Sequence, residues 1–231
     1  MIPLKDNIPS SRVPVMTVGL IAINVLVYLN QLTLAPRAAT RFVYYYGLIP
    51  SEIAGGDLIV QHPVPVYATI LTSMFVHGGL FHLAGNMLYL WIFGDNVEDR
   101  MGRLTFLIFY LASGLAGAVA QTWSNPDSTI PMVGASGAVS GVLGAYLILY
   151  PHARVMTLIV FGWLIRMVEV PALVVLGFWI VVQLLSGLLT LGAQGGGVAW
   201  FAHVGGFAGG LLMVYPLTRR RARSDLEGRL S

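Results

Sequence analysis

Six apolar segments, each long enough to cross a lipid bilayer, dominate this sequence. They lie at about residues 14–32, 79–97, 104–122, 135–151, 171–191 and 198–217. At a rise of about 1.5 Å per residue, each segment reaches roughly 25–32 Å, which matches the hydrocarbon core of a membrane. Inside lipid the backbone has no water to bond, so each segment must form a helix. The sequence therefore predicts an all-α membrane protein, a bundle of six transmembrane helices.

The composition fits a chain whose solvent is lipid. Hydrophobic residues make up 56% of the sequence and charged residues 10%, and the mean hydropathy is +0.76. An ordinary soluble domain carries roughly 25% charged residues. The chain has no cysteine, which excludes disulfides, thiolate metal sites and a cysteine nucleophile. Its histidines are not spaced as a ligand cluster and there is no His-Glu-x-x-His motif, so we expect neither a metal nor another cofactor.

The distribution of basic residues predicts which side of the membrane each connection occupies. If the N-terminus is inside, 11 of the 13 lysines and arginines lie on the inner side, and only Arg37 and Arg41 lie outside. Because cytoplasmic loops carry the excess of positive charge, both termini are predicted to be cytoplasmic, in a bacterial inner (plasma) membrane. The predicted organisation is a cytoplasmic N-terminal segment (1–13), a six-helix membrane domain (14–217) and a basic cytoplasmic tail (218–231).

Two connecting segments do not have the composition of simple loops. Residues 33–78 form a large first loop that is mostly apolar or aromatic and is interrupted by prolines. We expect this loop to lie in the outer membrane interface, against the helices. Residues 153–170 contain an apolar run that ends at Ile165 and is followed by charged residues. That run is too short to span, which favours an interfacial segment on the inner side, with a re-entrant hairpin as the alternative.

A serine and a histidine lie at matching depth in two of the apolar segments. Ser136 is at the outer end of the fourth segment, and His203 lies about five residues into the sixth. Small residues share a helix face with each of them, and small residues let helices approach closely in lipid. The predicted helix-packing residues are Gly137, Gly141, Gly206 and Gly210. If the two faces meet, Ser136 Oγ comes within hydrogen-bond reach of the His203 ring, as a nucleophile and its base require.

His82 and Asn86 lie at the same depth in the second segment, one helical turn apart on one face. Their side chains and the backbone N–H of Ser136 are candidate donors to a reaction oxyanion. The alternative is that the two side chains only bond across helices. His77, five residues before His82, is a possible accessory residue at the mouth of the site, or a cap that binds water. The fourth and sixth segments contain no Asp or Glu, so a dyad of Ser136 and His203 is predicted.

These residues, in their order and spacing, resemble the rhomboid family of intramembrane serine proteases over about residues 14–217. The motifs that carry the resemblance are His77-x4-His82-x3-Asn86, Val97-Glu98-Asp99-Arg100-Met101-Gly102, Gly134-Ala135-Ser136-Gly137 and Ala202-His203-x2-Gly206-x3-Gly210. The resemblance implies a six-helix fold with an active site that opens outward, and cleavage of transmembrane substrates without metal or ATP. It implies Ser136 as nucleophile and His203 as base. The implied oxyanion hole consists of His82, Asn86 and the Ser136 amide.

The resemblance also assigns a gate to the fifth helix and to the loop after it, here residues 192–197 with four glycines. Some members place a tyrosine, stacked under the histidine, where this chain has Ser140. The predicted function is intramembrane serine endopeptidase activity on transmembrane protein substrates in the lipid bilayer. Because the basic tail lacks base-stacking aromatic residues, no nucleic acid partner is expected. The alternative function is that of a catalytically inactive rhomboid-like protein that binds or escorts membrane clients.

Overall fold

The structure, a computed structural model, describes residues 1–191 and 197–230, without the side chains of residues 161, 164 and 219–230. Residues 192–196 of the predicted gate loop thus lie outside the described residues. The helices are α1 (Val15–Thr33), α2 (Pro36–Tyr46), α3 (Pro50–Ile53), α4 (Thr69–Thr72), α5 (Leu80–Met101), α6 (Arg103–Ser124), α7 (Ser136–Leu149), α8 (Ala172–Leu189) and α9 (Trp200–Leu230), with 3₁₀ turns at Val66–Ala68 and Ser73–Phe75. The strands are β1 (Ile2–Asp6), β2 (Arg154–Phe161) and β3 (Leu164–Pro171).

Among the described helices, four are long and apolar enough to cross a membrane: α1, α6, α8 and the Trp200–Thr218 part of α9. α5 becomes a fifth candidate if it is joined to the segment Val66–Phe75, from which it is bent by 79°. α7 is apolar but has 14 residues, which reach about 21 Å at a rise of about 1.5 Å per residue. The chain therefore has the helices of a multi-pass membrane protein, and a helix lies in each of the six predicted segments.

α7, the shortest of the helices in the six predicted segments, is enclosed by other helices. Every residue from Gly137 to Tyr146 is buried, and the Tyr146 ring lies against Phe93 of α5 with centroids 4.8 Å apart. Tyr150 leaves the helical conformation because a helix is disfavoured before a proline, here Pro151. The helix therefore ends earlier than the predicted segment 135–151. Its residues meet side chains rather than lipid, so its length does not have to match the bilayer.

The first loop folds against the end of the bundle where α7 begins. Leu48 is fully buried and forms an antiparallel bridge with Met132, in the connection from α6 to α7. Glu52 and His62 form a buried pair at 2.6 Å within the loop. These contacts give the loop a defined conformation beside the N-terminal end of α7. Its location in the outer membrane interface stays a prediction.

Residues 153–170, predicted to be interfacial or re-entrant, form the hairpin β2–β3, and β1 completes a three-stranded antiparallel sheet. The all-α prediction is wrong on this point, since it misses the sheet. Residues such as Val155 and Thr157 suit strands because their side chains are β-branched. Gly162, with φ of +58°, supplies the left-handed turn residue of the hairpin. The sheet places the N-terminal segment and the α7–α8 connection at one end of the bundle, opposite to Ser136.

Asp6, at the end of β1, ties this sheet to the helices. Its carboxylate accepts hydrogen bonds from the Tyr146 hydroxyl of α7 and from Asn96 Nδ2 of α5, the latter at 2.9 Å. Burial raises the pKa of Asp6 above its usual value, because removal from water disfavours the charged form. The N-terminal strand is therefore attached to the bundle by a half-buried polar contact.

We expect Asp6→Ala to lower the free energy of unfolding by about 1–3 kcal/mol, because Tyr146 and Asn96 lose this acceptor. Asp6→Asn tests the charge. Because the pKa of Asp6 is raised in the folded state, Asp6 makes its full contribution to the free energy of unfolding below about pH 4. This contribution decreases as the pH rises through the folded-state pKa. In thermal unfolding in detergent, wild type should therefore gain stability relative to Asp6→Asn as the pH falls from about 7 to about 5. A difference that does not vary with pH would contradict this assignment.

Candidate active site

Ser136 begins α7 directly after a tight turn. Gly134 has φ of +117°, a left-handed conformation that favours glycine, and its N–H donates to the Ser73 carbonyl oxygen at 2.8 Å. Because Ser136 is the first residue of α7, its N–H has no carbonyl within the helix to bond. The turn therefore puts a hydroxyl and a backbone donor at the same end of the helix.

α7 and α9 touch backbone to backbone. A Cβ atom added at Gly206 would lie 1.9 Å from the carbonyl oxygen of Gly137, and one added at Gly210 would lie 2.1 Å from that of Gly141. No side chain fits between helices at this distance, so glycine is required at both positions on α9. Such close contact is the way in which small residues join helices in lipid.

Ser136 and His203 lie at the same level of the bundle. Gly137, the chain neighbour of Ser136, faces the carbonyl oxygen of Ala202, which an added Cβ would approach to 3.5 Å. Ser136 is half-buried and His203 is 9% exposed. In the described structure the two side chains do not hydrogen-bond to each other, and the His203 ring bonds to α8 instead. Catalytic hydrogen bonds are often long before substrate binds and tighten in the complex.

Two side chains of α8 hold the His203 ring. Gln183 Oε1 lies 2.7 Å from His203 Nδ1, and the Trp179 ring lies obliquely against the imidazole with centroids 5.8 Å apart. Ser140, where the resemblance implies a tyrosine, donates instead to the Ser136 carbonyl oxygen at 2.6 Å. Gln183 was not among the site residues predicted from the sequence. The available signal was a glutamine in the middle of an apolar segment, since polar residues inside a membrane are unfavourable and usually functional.

His82 and Asn86 reach the turn that precedes Ser136. A Cβ added at Gly134 would lie 2.7 Å from His82 Nε2 and 3.5 Å from Asn86 Nδ2, so glycine makes room for both side chains. The Gly78 N–H donates to His82 Nδ1 at 3.5 Å, which leaves the ring proton on Nε2 as a donor. The turn thus brings together the side chains and the backbone N–H that are predicted as oxyanion donors.

His77 lies inside the protein and not at the mouth of the site. It is 1% exposed, and its backbone N–H and carbonyl both bond to the side-chain amide of Gln31 in α1. Its Nε2 lies 3.1 Å from Asn86 Nδ2, and its ring is edge-on to His82 with centroids 5.1 Å apart. An amide nitrogen carries two hydrogens, so Asn86 can bond to His77 and donate to a second acceptor. His77 therefore positions Asn86.

A small cavity adjoins Ser136 at the start of α7. Its volume is about 10 Å³, close to the space that one water molecule needs. Ser136 and Gly137 line one side, and Met74, Met132 and Ala202 contribute to the others. The space beside the hydroxyl is therefore narrow and mostly apolar. Such surroundings strengthen electrostatic interactions between the groups that line a site.

Comparison with known proteins gives several relatives. A family model, the rhomboid domain, matches residues 65–220. Rhomboid protein 1, a mitochondrial protein of Saccharomyces cerevisiae, is 33% identical over 143 residues, 60% of this chain and 37% of the relative. Rhomboid protease GluP of Bacillus subtilis is 35% identical over 148 residues, 64% of this chain and 25% of the relative. RHOMBOID-like protein 1 of Arabidopsis thaliana is 33% identical over 146 residues, 63% of this chain and 33% of the relative.

The matched region contains the whole of the candidate site. It begins before His77 and ends after His203, so it includes α5 to the Trp200–Thr218 part of α9. The chain spans between about a quarter and two fifths of the length of the three relatives. More than half of the chain matches the family model. The chain therefore belongs to the rhomboid family of membrane proteins.

Proposed function

We propose that this chain is an intramembrane serine endopeptidase that cleaves transmembrane segments of membrane proteins. The observation that carries the proposal is the glycine contact between α7 and α9, which puts Ser136 and His203 at one level of the bundle. His82 and Asn86 lie against the turn beside them. The similarity to a bacterial protein named as a rhomboid protease supports the same activity.

In the proposed reaction, His203 Nε2 accepts the proton of the Ser136 hydroxyl while Oγ attacks the carbonyl carbon of the scissile peptide bond. The displaced electron pair moves to the carbonyl oxygen, which accepts hydrogen bonds from His82, Asn86 and the Ser136 N–H. His203 then gives its proton to the leaving amine as the C–N bond breaks. Finally, a water molecule loses a proton to His203, attacks the acyl-enzyme and restores the serine hydroxyl.

We further infer that α1 and α5 to α9 all cross the membrane, with the shorter α7 enclosed by the other five helices. The N-terminal segment, the β2–β3 hairpin and the basic tail then lie on the cytoplasmic side of a bacterial inner membrane. Arg154 and Arg166 in the hairpin agree with this orientation, because cytoplasmic connections carry the excess of positive charge. Ser136 lies toward the outer side, so a substrate helix is cut near its outer end.

A fluorophosphonate probe, which reacts with activated serines, tests the proposed mechanism. We expect wild-type protein in detergent to be labelled and Ser136→Ala to remain unlabelled. His203→Ala should react slower by about a hundredfold or more, because the serine loses its base. Labelling that persists in Ser136→Ala would overturn the assignment. If wild type is not labelled but still binds a transmembrane helix, the alternative of an inactive protein that escorts membrane clients is favoured.

We expect His82→Ala and Asn86→Ala each to lower kcat by about 10²–10³-fold, since each removes one donor to the oxyanion. KM should change little, because the negative charge develops only in the transition state. The measurement is cleavage of a transmembrane peptide in proteoliposomes. The control is His152→Ala, an exposed histidine beyond the far end of α7, which should leave kcat unchanged. A normal kcat in Asn86→Ala would remove that residue from the oxyanion hole.

A further inference from the structure

A buried hydrogen bond joins Gln183 to His203 and plays no part in the proton transfers proposed above. Gln183 lies on α8 and His203 on α9, and the two residues are 7% and 9% exposed. Gln183 Oε1 lies 2.7 Å from His203 Nδ1. A hydrogen bond of this length, removed from water, restricts both side chains because neither has a solvent partner to exchange with.

The chemistry of this contact determines which ring nitrogen carries the proton. An amide oxygen only accepts hydrogen bonds, so His203 Nδ1 must be the donor and must hold the proton. A neutral imidazole has one ring proton, and Nε2 is then left with a lone pair. A base that takes the proton of Ser136 needs this lone pair, because a protonated Nε2 would meet the hydroxyl as a second donor.

Trp179 restrains the same ring from a second direction. It lies four residues before Gln183, about one helical turn, so both side chains project from one face of α8. The ring planes of Trp179 and His203 are inclined by 33° with centroids 5.8 Å apart. The hydrogen bond fixes the position of Nδ1, and the indole limits rotation of the imidazole plane. Both restraints on the base therefore come from one neighbouring helix.

A neutral acceptor suits this position in a membrane protein. In soluble serine proteases a buried aspartate bonds to the histidine Nδ1–H and selects the tautomer. A carboxylate at the level of His203 would add a charge to the bundle, which is unfavourable in a membrane. Glutamine supplies the acceptor oxygen without the charge. Among the side chains that the structure describes, His82 of α5 is the titratable group that acts electrostatically on His203.

We propose that Gln183 is a positioning residue that holds His203 with its proton on Nδ1 and its Nε2 available to Ser136. This inference rests on the proposed function. Gln183 lies on α8 and His203 on α9, so Gln183 can orient the His203 ring only while α8 packs against α9. The positioning of the base is thereby linked to the packing of α8.

Nitrogen-15 NMR of the full chain in micelles, with selectively labelled histidine, reads the tautomer without a cleavage assay. The His203 signals, assigned by their loss in His203→Ala, are expected to show a protonated Nδ1 and an unprotonated Nε2 at about pH 8, where histidine is neutral. Gln183→Met keeps the side-chain length and removes the amide oxygen, so it should give a mixture of tautomers. A protonated Nε2 in wild type, or identical spectra for wild type and Gln183→Met, would overturn the proposal.

Kinetics separate positioning from a merely structural role. Gln183→Met should lower kcat about tenfold or more at nearly unchanged KM. Gln183→Glu retains an acceptor oxygen, so it should keep more of kcat than Gln183→Met. Its carboxylate stabilises the imidazolium, which should move the acidic limb of the kcat/KM profile to higher pH. Equal losses in the two variants, with an unchanged pH profile, would overturn the proposal.

The matched control for these variants is Gln121→Met. Gln121 of α6 accepts a hydrogen bond from the Ala202 N–H at 3.3 Å, so it also contacts α9 but does not touch the imidazole. We expect this variant to keep the wild-type kcat and pH profile. If wild type neither cleaves substrate nor reacts with the fluorophosphonate, the proposed function fails, while the NMR experiment still decides the tautomer of His203.

Discussion

Ser136→Ala is expected to reduce cleavage of a transmembrane substrate by at least about a thousandfold. Alanine has no Oγ, so no acyl-enzyme forms and only the oxyanion donors remain to assist attack by water. The fold should persist, because Ser136 is half-buried and alanine favours a helix more than serine does. The measurement is the initial rate of cleavage in proteoliposomes, together with thermal unfolding of both proteins.

The matched control is Ser140→Ala, one turn further along α7. The Ser140 hydroxyl bonds to the Ser136 carbonyl oxygen and not to a group in the proposed reaction. We expect this variant to cleave substrate at a rate near that of wild type. Cleavage by Ser136→Ala at a comparable rate would exclude the serine mechanism. Loss of cleavage accompanied by a large drop in unfolding temperature would show instead that Ser136 acts on the fold.

Gly210→Val is expected to separate α7 from α9 and to lower the free energy of unfolding by about 3 kcal/mol. The new Cβ would lie 2.1 Å from the Gly141 carbonyl oxygen, and a backbone atom in the centre of a helix has little freedom to move. A displacement of about 1 Å between Ser136 and His203 should reduce the cleavage rate by about a hundredfold. Gly206→Val should behave in the same way.

Gly177→Val is the matched control for these substitutions. Gly177 lies on α8, and a Cβ there meets no atom within 4 Å. This variant should therefore keep the stability and cleavage rate of wild type, since valine is no worse than glycine in a helix. The measurement is thermal unfolding in detergent and cleavage in proteoliposomes. Unchanged stability in Gly210→Val would show that the two helices do not depend on backbone contact.

The long helices and the candidate dyad could be predicted because lipid places strong restrictions on a sequence. A segment that crosses a membrane needs many apolar residues in succession, so its approximate length follows from the length of the apolar run in the sequence. His203 and Asn86 were noticeable as polar residues at the same depth in such segments. The spacing of small residues also indicated which faces of α7 and α9 would meet, and the contacts at Gly206 and Gly210 lie on those faces.

Other features depend on contacts that no local pattern contains. The strands β2 and β3 are completed by β1, whose partners are far away in the chain, so the short apolar run before Ile165 was equally compatible with an interfacial segment. α7 can be shorter than the bilayer is thick because neighbouring helices replace lipid around it. Gln183 belongs to no recognisable motif, and its contact with His203 is visible only in the structure. In each case the deciding partner comes from another element.

The pairing of β1 with β2 has a consequence for how this protein is assembled. Ile2 pairs with Leu158, so roughly 150 residues and the helices α1 to α7 separate the two strands. Closing so long a loop is slow compared with forming a helix. β1 cannot pair until α1 to α7 and then β2 have been synthesised. The residues of β1 are thus made well before their partner strand, and they reach their native contacts later than residues whose partners are local in the chain.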